Sequence, residues 1–195
     1  MNTKLDFKNY FQKGVGYEQY KIQMAEDLHS NSDAQLKEYI KLNTQRMQRV
    51  EKTYTVSDTL KQLLNQLTEN VNWLLIAEHW CGDVAQIISA MNKIAEESNG
   101  KITFKIVYRD QNTELMDAFL TNNARSIPKL LQLDNDYKLT GQWGPRSVEA
   151  QELVVRLKSN PETAETYASA LHLWYAEDKQ KKLERDLIEL VKSNL

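Results

Sequence analysis

The sequence has little of what marks secreted or membrane proteins. Its 195 residues include one cysteine, three prolines and six glycines. A single cysteine excludes an internal disulfide, so the chain carries no mark of an oxidising compartment, and we expect a cytoplasmic protein. No apolar run reaches the roughly 20 residues of a membrane span, and the segment from Met1 to Asp6 lacks an apolar signal region.

An excess of charge of one sign is missing as well. There are 27 acidic and 25 basic residues, for a net charge of −2, and the two signs are interspersed. We therefore expect no nucleic-acid partner and no membrane partner. One cysteine and three scattered histidines give no metal-ligand spacing, and no cofactor is predicted. With 41% hydrophobic residues the chain is long enough to bury a globular core.

The first third of the chain predicts helices. Residues 1–30 mix aromatic and polar residues, which is typical of an irregular or short-helical arm. Ser32 and Gln35 form a predicted capping box for a helix from about residue 33 into the low fifties. Alternation over residues 50–56 leaves an edge strand open as an alternative. Ser57 is the predicted cap of the following helix.

The middle of the chain predicts a mixed α/β core. Residues 71–78 form a short apolar strand, a helical pattern runs from residue 83 to Asn99-Gly100, and residues 102–108 alternate as a second strand. This order predicts a parallel βαβ unit. Two further strands, about 129–133 and 137–142, form a predicted hairpin, followed by a helix opened by Ser147. Beyond Pro161 we expect one long helix or two, with a solvated polar tract at residues 177–182.

Three motifs carry a resemblance to a known family. They are Trp80-Cys81-Gly82 at the strand–helix junction, Asp110-Gln111-Asn112 after the next strand, and Ser126-Ile127-Pro128-Lys129-Leu130 before the hairpin. In this order they resemble the thioredoxin superfamily. More narrowly, the chain is similar to a largely uncharacterised bacterial group of thioredoxin-like proteins with helical extensions. The residues that carry the narrower likeness are Trp80-Cys81-Gly82-Asp83, Ala85-Gln86, Arg109-Asp110 and Trp143-Gly144-Pro145-Arg146.

The resemblance implies a thioredoxin-like three-layer α/β/α fold with a mixed central sheet. The expected division is an N-terminal helical extension over residues 1–56, the thioredoxin-like domain over 57–158 and a C-terminal helical extension over 159–195.

The resemblance also implies a site. Cys81 takes the position of the attacking cysteine, and Pro128 that of a cis-proline facing it, with the Ile127 backbone offered to a bound peptide. The neighbouring residues Trp80, Gly82 and Asp83 complete the predicted binding surface.

Two departures limit what this site can do. Val84 stands where the resolving cysteine of a Cys-x-x-Cys motif is expected, and Leu75 stands where dithiol thioredoxins carry a buried acid. Because a dithiol enzyme needs the second thiolate to release its product, this chain cannot run that cycle alone.

Three hypotheses follow for Cys81. The first is monothiol exchange, in which Cys81 forms a mixed disulfide with glutathione or a thiol-containing protein, and an external thiol resolves it. The second is a redox-inactive module that binds a peptide or partner, and the third is a peroxide-reactive cysteine. A helix start lowers the pKa of a thiol, whereas burial and the Asp83 charge raise it. We expect a weakly acidic but accessible thiol, and the oligomeric state stays open.

Other polar residues leave alternatives open. His79 is either a base for Cys81 or a solvated histidine at the end of a loop. His172 has no companion in the sequence. Three arginines flank the predicted site and either receive a ligand carboxylate or anchor loops by ion pairs; they are Arg109, Arg125 and Arg146. A set of aromatics near the C-terminus is expected to be a packing stripe: Tyr167, Trp174 and Tyr175.

Overall fold

The structure, a computed structural model, describes residues 5–194, so the first four residues of the Met1–Asp6 segment lie outside the described residues. In chain order its helices are α1 Phe7–Lys13, α2 Tyr17–Ser30, α3 Ala34–Thr53, α4 Asp58–Leu64, α5 Gly82–Glu97, α6 Thr113–Asp117, α7 Val148–Ser159, α8 Tyr167–Asp178 and α9 Lys181–Lys192. Its strands are β1 Val71–Ala77, β2 Ile102–Tyr108, β3 Lys129–Leu133 and β4 Leu139–Trp143.

A four-stranded mixed sheet lies at the centre, in the order β2-β1-β3-β4. Strand β1 pairs parallel to β2 and antiparallel to β3, and β3 pairs antiparallel to β4. Every residue of β1 is buried, as expected for an apolar strand with neighbours on both edges and helices on both faces. The predicted α/β fold with helical additions at both ends is confirmed.

The N-terminal arm closes one edge of the sheet. It consists of the short helices α1 and α2, and between them Val15 exchanges two backbone hydrogen bonds with Ile106 of β2, at 2.9 and 2.8 Å. Because the outer edge of β2 would otherwise present unpaired backbone groups, this contact protects it from pairing with another chain.

Helices α3 and α5 pack against each other, and two details of α3 differ from the prediction. The side chain of Asp33, not Ser32, caps the helix by accepting from the N–H groups of Gln35 and Leu36. The helix continues to Thr53, so the alternative of an edge strand over residues 50–56 is wrong. The prediction for Ser57 is confirmed, since its hydroxyl accepts from the N–H of Leu60 at 3.2 Å.

The C-terminal segment forms two helices, and α9 packs on β4 and α4. They meet at Lys179 and Gln180, which both have left-handed backbone conformations, with φ of 53° and 62°. Gln180 is buried and donates to the carbonyl of Gln86 at 3.2 Å, so the prediction of a solvated tract is wrong at this residue. A buried amide that finds such an acceptor avoids the cost of an unmade hydrogen bond.

Within residues 5–194, no helix combines the length and the apolar character needed to cross a bilayer.

Candidate functional site

The fold brings Cys81 and Ile127 together at one end of the sheet. Cys81 is the N-cap of α5 and follows β1, whereas Ile127 immediately precedes the Pro128 turn into β3. Because β1 and β3 are antiparallel, the end of one strand lies beside the start of the other. The Cys81 thiol donates to the Ile127 carbonyl at 3.6 Å, and the Ile127–Pro128 peptide bond is cis.

The Cys81 thiol is buried rather than accessible, which corrects the expectation from the sequence. The residue is 7% exposed. Burial, followed by the negative charge of Asp83, raises the pKa of Cys81 to about 12, although the N–H groups of Val84 and Asp83 favour the thiolate. At pH 7 only about one thiol in 10⁵ is then ionised.

Asp83 lies in the first turn of α5 and is also the centre of a buried hydrogen-bond network. It is 8% exposed. The Arg146 guanidinium donates to both of its carboxylate oxygens, at 3.0 and 2.5 Å. The hydroxyl of Tyr175 donates to the same carboxylate at 2.8 Å. Asp83 therefore connects α5 to the loop before α7 and to α8, and Tyr175 belongs to this site as well as to the packing stripe.

His79 fits neither of its two interpretations. It is buried, its Nδ1 lies 3.0 Å from the Asp27 carboxylate, and its Nε2 lies 3.0 Å from the Tyr108 hydroxyl. Burial is the main cause that lowers the pKa of His79. Since both ring nitrogens are engaged by Asp27 and Tyr108, His79 is not available as a base for Cys81.

A cavity of about 490 Å³ opens beside the thiol. Of the residues that the sequence predicts for the site, five line it: Trp80, Cys81, Gly82, Asp83 and Ile127. Pro128 is buried and does not line it; its carbonyl lies against Gly144. Ile127 lines the cavity at this end of β3, and the role of Pro128 in binding a ligand stays a prediction.

Four arginines line the cavity: Arg46, Arg109, Arg125 and Arg146. The Arg125 guanidinium binds both oxygens of Asp117, at 2.6 and 2.7 Å. Arg109 pairs with Asp110 at 2.8 Å and lies over the Trp80 ring, 4.8 Å from its centroid. Ion pairs thus hold three of these four guanidinium groups in place and balance their charges, which leaves Arg46 as the arginine of the wall without a carboxylate partner in the described chain.

Sequence reasoning missed two residues of this wall. Arg46 comes from α3, and His172 comes from α8, where its Nδ1 lies 3.0 Å from the side-chain amide of Gln86. Neither had a signal in the local sequence, because each approaches the site from a helix outside the strand–helix–strand core. Across the described part of the chain, no cluster of acidic, histidine and cysteine side chains could hold a metal ion.

Comparisons with known proteins agree with this architecture. A family model described as Thioredoxin matches residues 30–166. A protein of unknown function from Pseudomonas aeruginosa, solved at 1.5 Å, is similar in structure with a TM-score of 0.65 and 16% identity, over 98% of this chain and 100% of that one. An HIV epitope-scaffold gives a TM-score of 0.60 and 16% identity, over 96% and 98% of the two chains.

Likeness at this identity shows the fold alone. No curated protein sequence matches the chain. Because the family model spans well over half of the residues, the chain belongs to the thioredoxin family that this model describes.

Proposed function

We propose that the protein is a thioredoxin-fold binding module whose cavity beside Cys81 and Ile127 holds an extended segment of a partner. The observation that carries this proposal is the cavity itself, which combines four arginine side chains with a buried thiol whose pKa is raised. Concave sites with a few oriented polar groups are the usual places where proteins hold ligands.

The backbone at Ile127 supports an extended occupant. Its carbonyl accepts from Cys81, and its N–H has no hydrogen-bond partner among residues 5–194. An unpaired backbone N–H next to a cavity can pair with the main chain of an extended peptide. Tyr39 and Leu42, each 44% exposed, add apolar surface at the rim.

Monothiol exchange is the second candidate, because the Cys81 side chain lines the cavity and two backbone N–H groups favour its thiolate. In this reaction the thiolate attacks one sulfur of oxidised glutathione, the glutathione disulfide bond breaks, and reduced glutathione leaves with a proton. An external thiol then attacks the glutathione sulfur of the mixed disulfide, the bond to Cys81 breaks, and the products are the free Cys81 thiol and a disulfide between the external thiol and glutathione. The cytoplasm is the proposed location, since a lone thiol suits a reducing compartment.

Intact-mass measurement after incubation with oxidised glutathione separates the two candidates. The binding function predicts no adduct on the folded protein and rapid labelling of Cys81 only after unfolding. An adduct that forms under native conditions and is absent in Cys81→Ser favours exchange instead. A sulfenic acid trapped at Cys81 after peroxide treatment would support the third hypothesis.

Binding itself is tested on the Cys81→Ser variant, which removes the thiol but keeps the cavity. Short blocked peptides of acidic, neutral polar and apolar composition are titrated and followed by NMR. We expect at least one of them to shift the amide signals of Gly82 and Ile127 to saturation. If no peptide shifts these signals at millimolar concentration, the binding function is wrong.

A further inference from the structure

Two side chains from outside the strand–helix–strand core converge above Gly82. A methyl group placed on Gly82 would lie 3.1 Å from Nη1 of Arg46 and 2.8 Å from Nε2 of His172. Both side chains also line the cavity. The two nitrogens are therefore close to each other at the wall beside Gly82, and one carboxylate bound in the cavity can contact both of them.

Arg46 is the one arginine of the cavity wall that has no carboxylate within ion-pair distance in the described chain. Its Nη1 donates to the side-chain oxygen of Asn43 at 2.7 Å, and Asn43 in turn donates to the carbonyl of His79 at 2.9 Å. Burial and the nearby Arg49 lower the pKa of Arg46. A neutral amide thus orients the guanidinium without neutralising it, which leaves a cation available to a ligand.

A chain of hydrogen bonds determines which nitrogen of His172 carries the proton. Arg49 donates to the side-chain oxygen of the fully buried Gln86 at 2.5 Å, so the Gln86 NH₂ group faces Nδ1 of His172 at 3.0 Å. An amide NH₂ can only donate, so Nδ1 must accept. The proton of the neutral ring is therefore on Nε2, the nitrogen that lies above Gly82.

The surrounding charges keep this ring neutral. Burial and then Arg46 lower the pKa of His172 to about 4; Arg49 and Arg146 act in the same direction, and Asp83 opposes them. At pH 7 His172 is therefore a neutral hydrogen-bond donor beside the Arg46 cation. One charged donor and one neutral donor on neighbouring side chains of the cavity wall match the two oxygens of a carboxylate.

We propose that Arg46 and His172 form a carboxylate-binding subsite, and that the partner of this cavity is an acidic peptide. This inference rests on the binding function proposed above and adds the chemical class of its ligand. Arg46 supplies the charge of this subsite, because Arg109, Arg125 and Arg146 are each paired with an aspartate.

The binding test compares a short blocked glutamate peptide with the matched glutamine peptide by calorimetry. We expect the glutamate peptide to bind at least about tenfold more tightly, and Arg46→Met and His172→Phe each to remove about tenfold in affinity. The control Arg156→Met removes one exposed arginine of α7 that does not line the cavity, and its affinity should change less than about twofold.

The outcomes separate this inference from the binding function. Equal binding of the two peptides overturns the carboxylate subsite while the binding function stands. Binding of neither peptide also overturns the subsite, and the binding function is then wrong only if the apolar peptide of the NMR titration fails as well. Inorganic phosphate is titrated in parallel. If it binds as tightly as the glutamate peptide, the subsite is a general anion site and the assignment to an acidic peptide is wrong.

The tautomer of His172 gives a readout that does not depend on any ligand. In ¹⁵N-histidine-labelled protein at pH 7, we expect a protonated Nε2 and an unprotonated Nδ1 for His172. Arg49→Met, which removes the group that orients Gln86, should produce a mixture of tautomers. A wild-type His172 that is protonated at Nδ1 would overturn the donor role.

Discussion

At Cys81 four physical influences act on one thiol, and burial is the strongest of them. The backbone N–H groups at the start of α5 favour the thiolate, and so does Arg146, whereas desolvation and the Asp83 carboxylate oppose it. Together these influences strongly favour the neutral thiol. A cysteine at a helix start is therefore not reactive by position alone; its reactivity depends on whether solvent and positive charge reach the sulfur.

The contribution of Asp83 can be measured with Asp83→Asn. Removal of the negative charge should lower the pKa of Cys81 and increase its alkylation rate at pH 8. The same change leaves the Arg146 guanidinium without its carboxylate, so we expect the free energy of unfolding to fall by about 2–4 kcal/mol. Alkylation kinetics and urea unfolding test both effects, with the exposed Glu26→Gln as the control. An unchanged or slower alkylation rate would contradict this account of the thiol.

The buried thiol also predicts a stability change in alkali. The folded pKa of Cys81 is about 12, whereas its ordinary value is 9.0, so between these values the folded state holds a proton that the unfolded state has lost. The contribution of this thiol to stability is therefore present below pH 9 and is lost as the pH rises toward 12.

From pH 9 to 10.5 the wild type should lose about 2 kcal/mol more stability than Cys81→Ala, as measured by urea unfolding at each pH. The comparison with Cys81→Ala removes the contribution of the buried tyrosines, because their ionisation changes the stability of both proteins in the same way. If the free energy of unfolding falls equally with pH in the two proteins, the thiol is not protected from ionisation.

At the scale of elements, the start of α5 and the middle of α8 meet where Gly82 has no side chain. A Cβ at this position would lie 2.6 Å from the His172 ring and 3.1 Å from Arg46. The glycine is thus required by the close approach of α8 and α3. The contact of α8 with α5 is completed by the hydrogen bonds from Tyr175 to Asp83 and between Gln86 and His172.

Gly82→Ala tests this contact. In an exposed helix the change from glycine to alanine is favourable by up to about 1 kcal/mol, but here we expect a loss of about 1–3 kcal/mol because the His172 ring must move. Hydrogen exchange should show faster exchange of the α8 amides. The control is Gly16→Ala, at a position where no atom lies within 4 Å of the added methyl group and whose effect should stay below about 1 kcal/mol. A stabilised Gly82→Ala protein would contradict the close contact.

At the scale of the whole molecule, the C-terminal helices are part of one core. Leu187 of α9 is fully buried, and Glu184 of the same helix accepts from the Tyr54 hydroxyl and the Ser57 N–H, which belong to the N-terminal half. The side-chain amide of Gln132 in β3 donates to the carbonyl of Leu190 at 2.8 Å. We therefore expect the extension and the sheet to unfold together.

Leu187→Ala tests that expectation. Removal of this fully buried side chain should lower the free energy of unfolding by about 2–5 kcal/mol, and the transitions followed by sheet and helix signals should stay coincident. Leu173→Ala, at a residue of α8 that is 60% exposed, should have an effect within about 0.5 kcal/mol. Separate transitions for the last two helices would show that they form an independent layer.

The sequence by itself determined the elements whose signals are local. Alternating and helical apolar patterns predict β1, α5, β2 and the β3–β4 hairpin, and the Ser57 cap follows from the residue type. The resemblance that the motif residues carry implied that Cys81 faces Pro128, and the structure brings the Cys81 thiol to the carbonyl of the neighbouring Ile127.

Only the tertiary structure decided what surrounds the thiol. The partners of Asp83 lie 63 and 92 positions away, and the partner of His172 lies 86 positions away. The sequence left His79 as a base or a solvated residue, whereas the structure buries it. Its partners Asp27 and Tyr108 belong to other elements, so no local pattern could predict them. Local patterns record which face of an element is apolar, whereas the charge and solvation of a site depend on how distant faces pack, and that packing sets the pKa of Cys81.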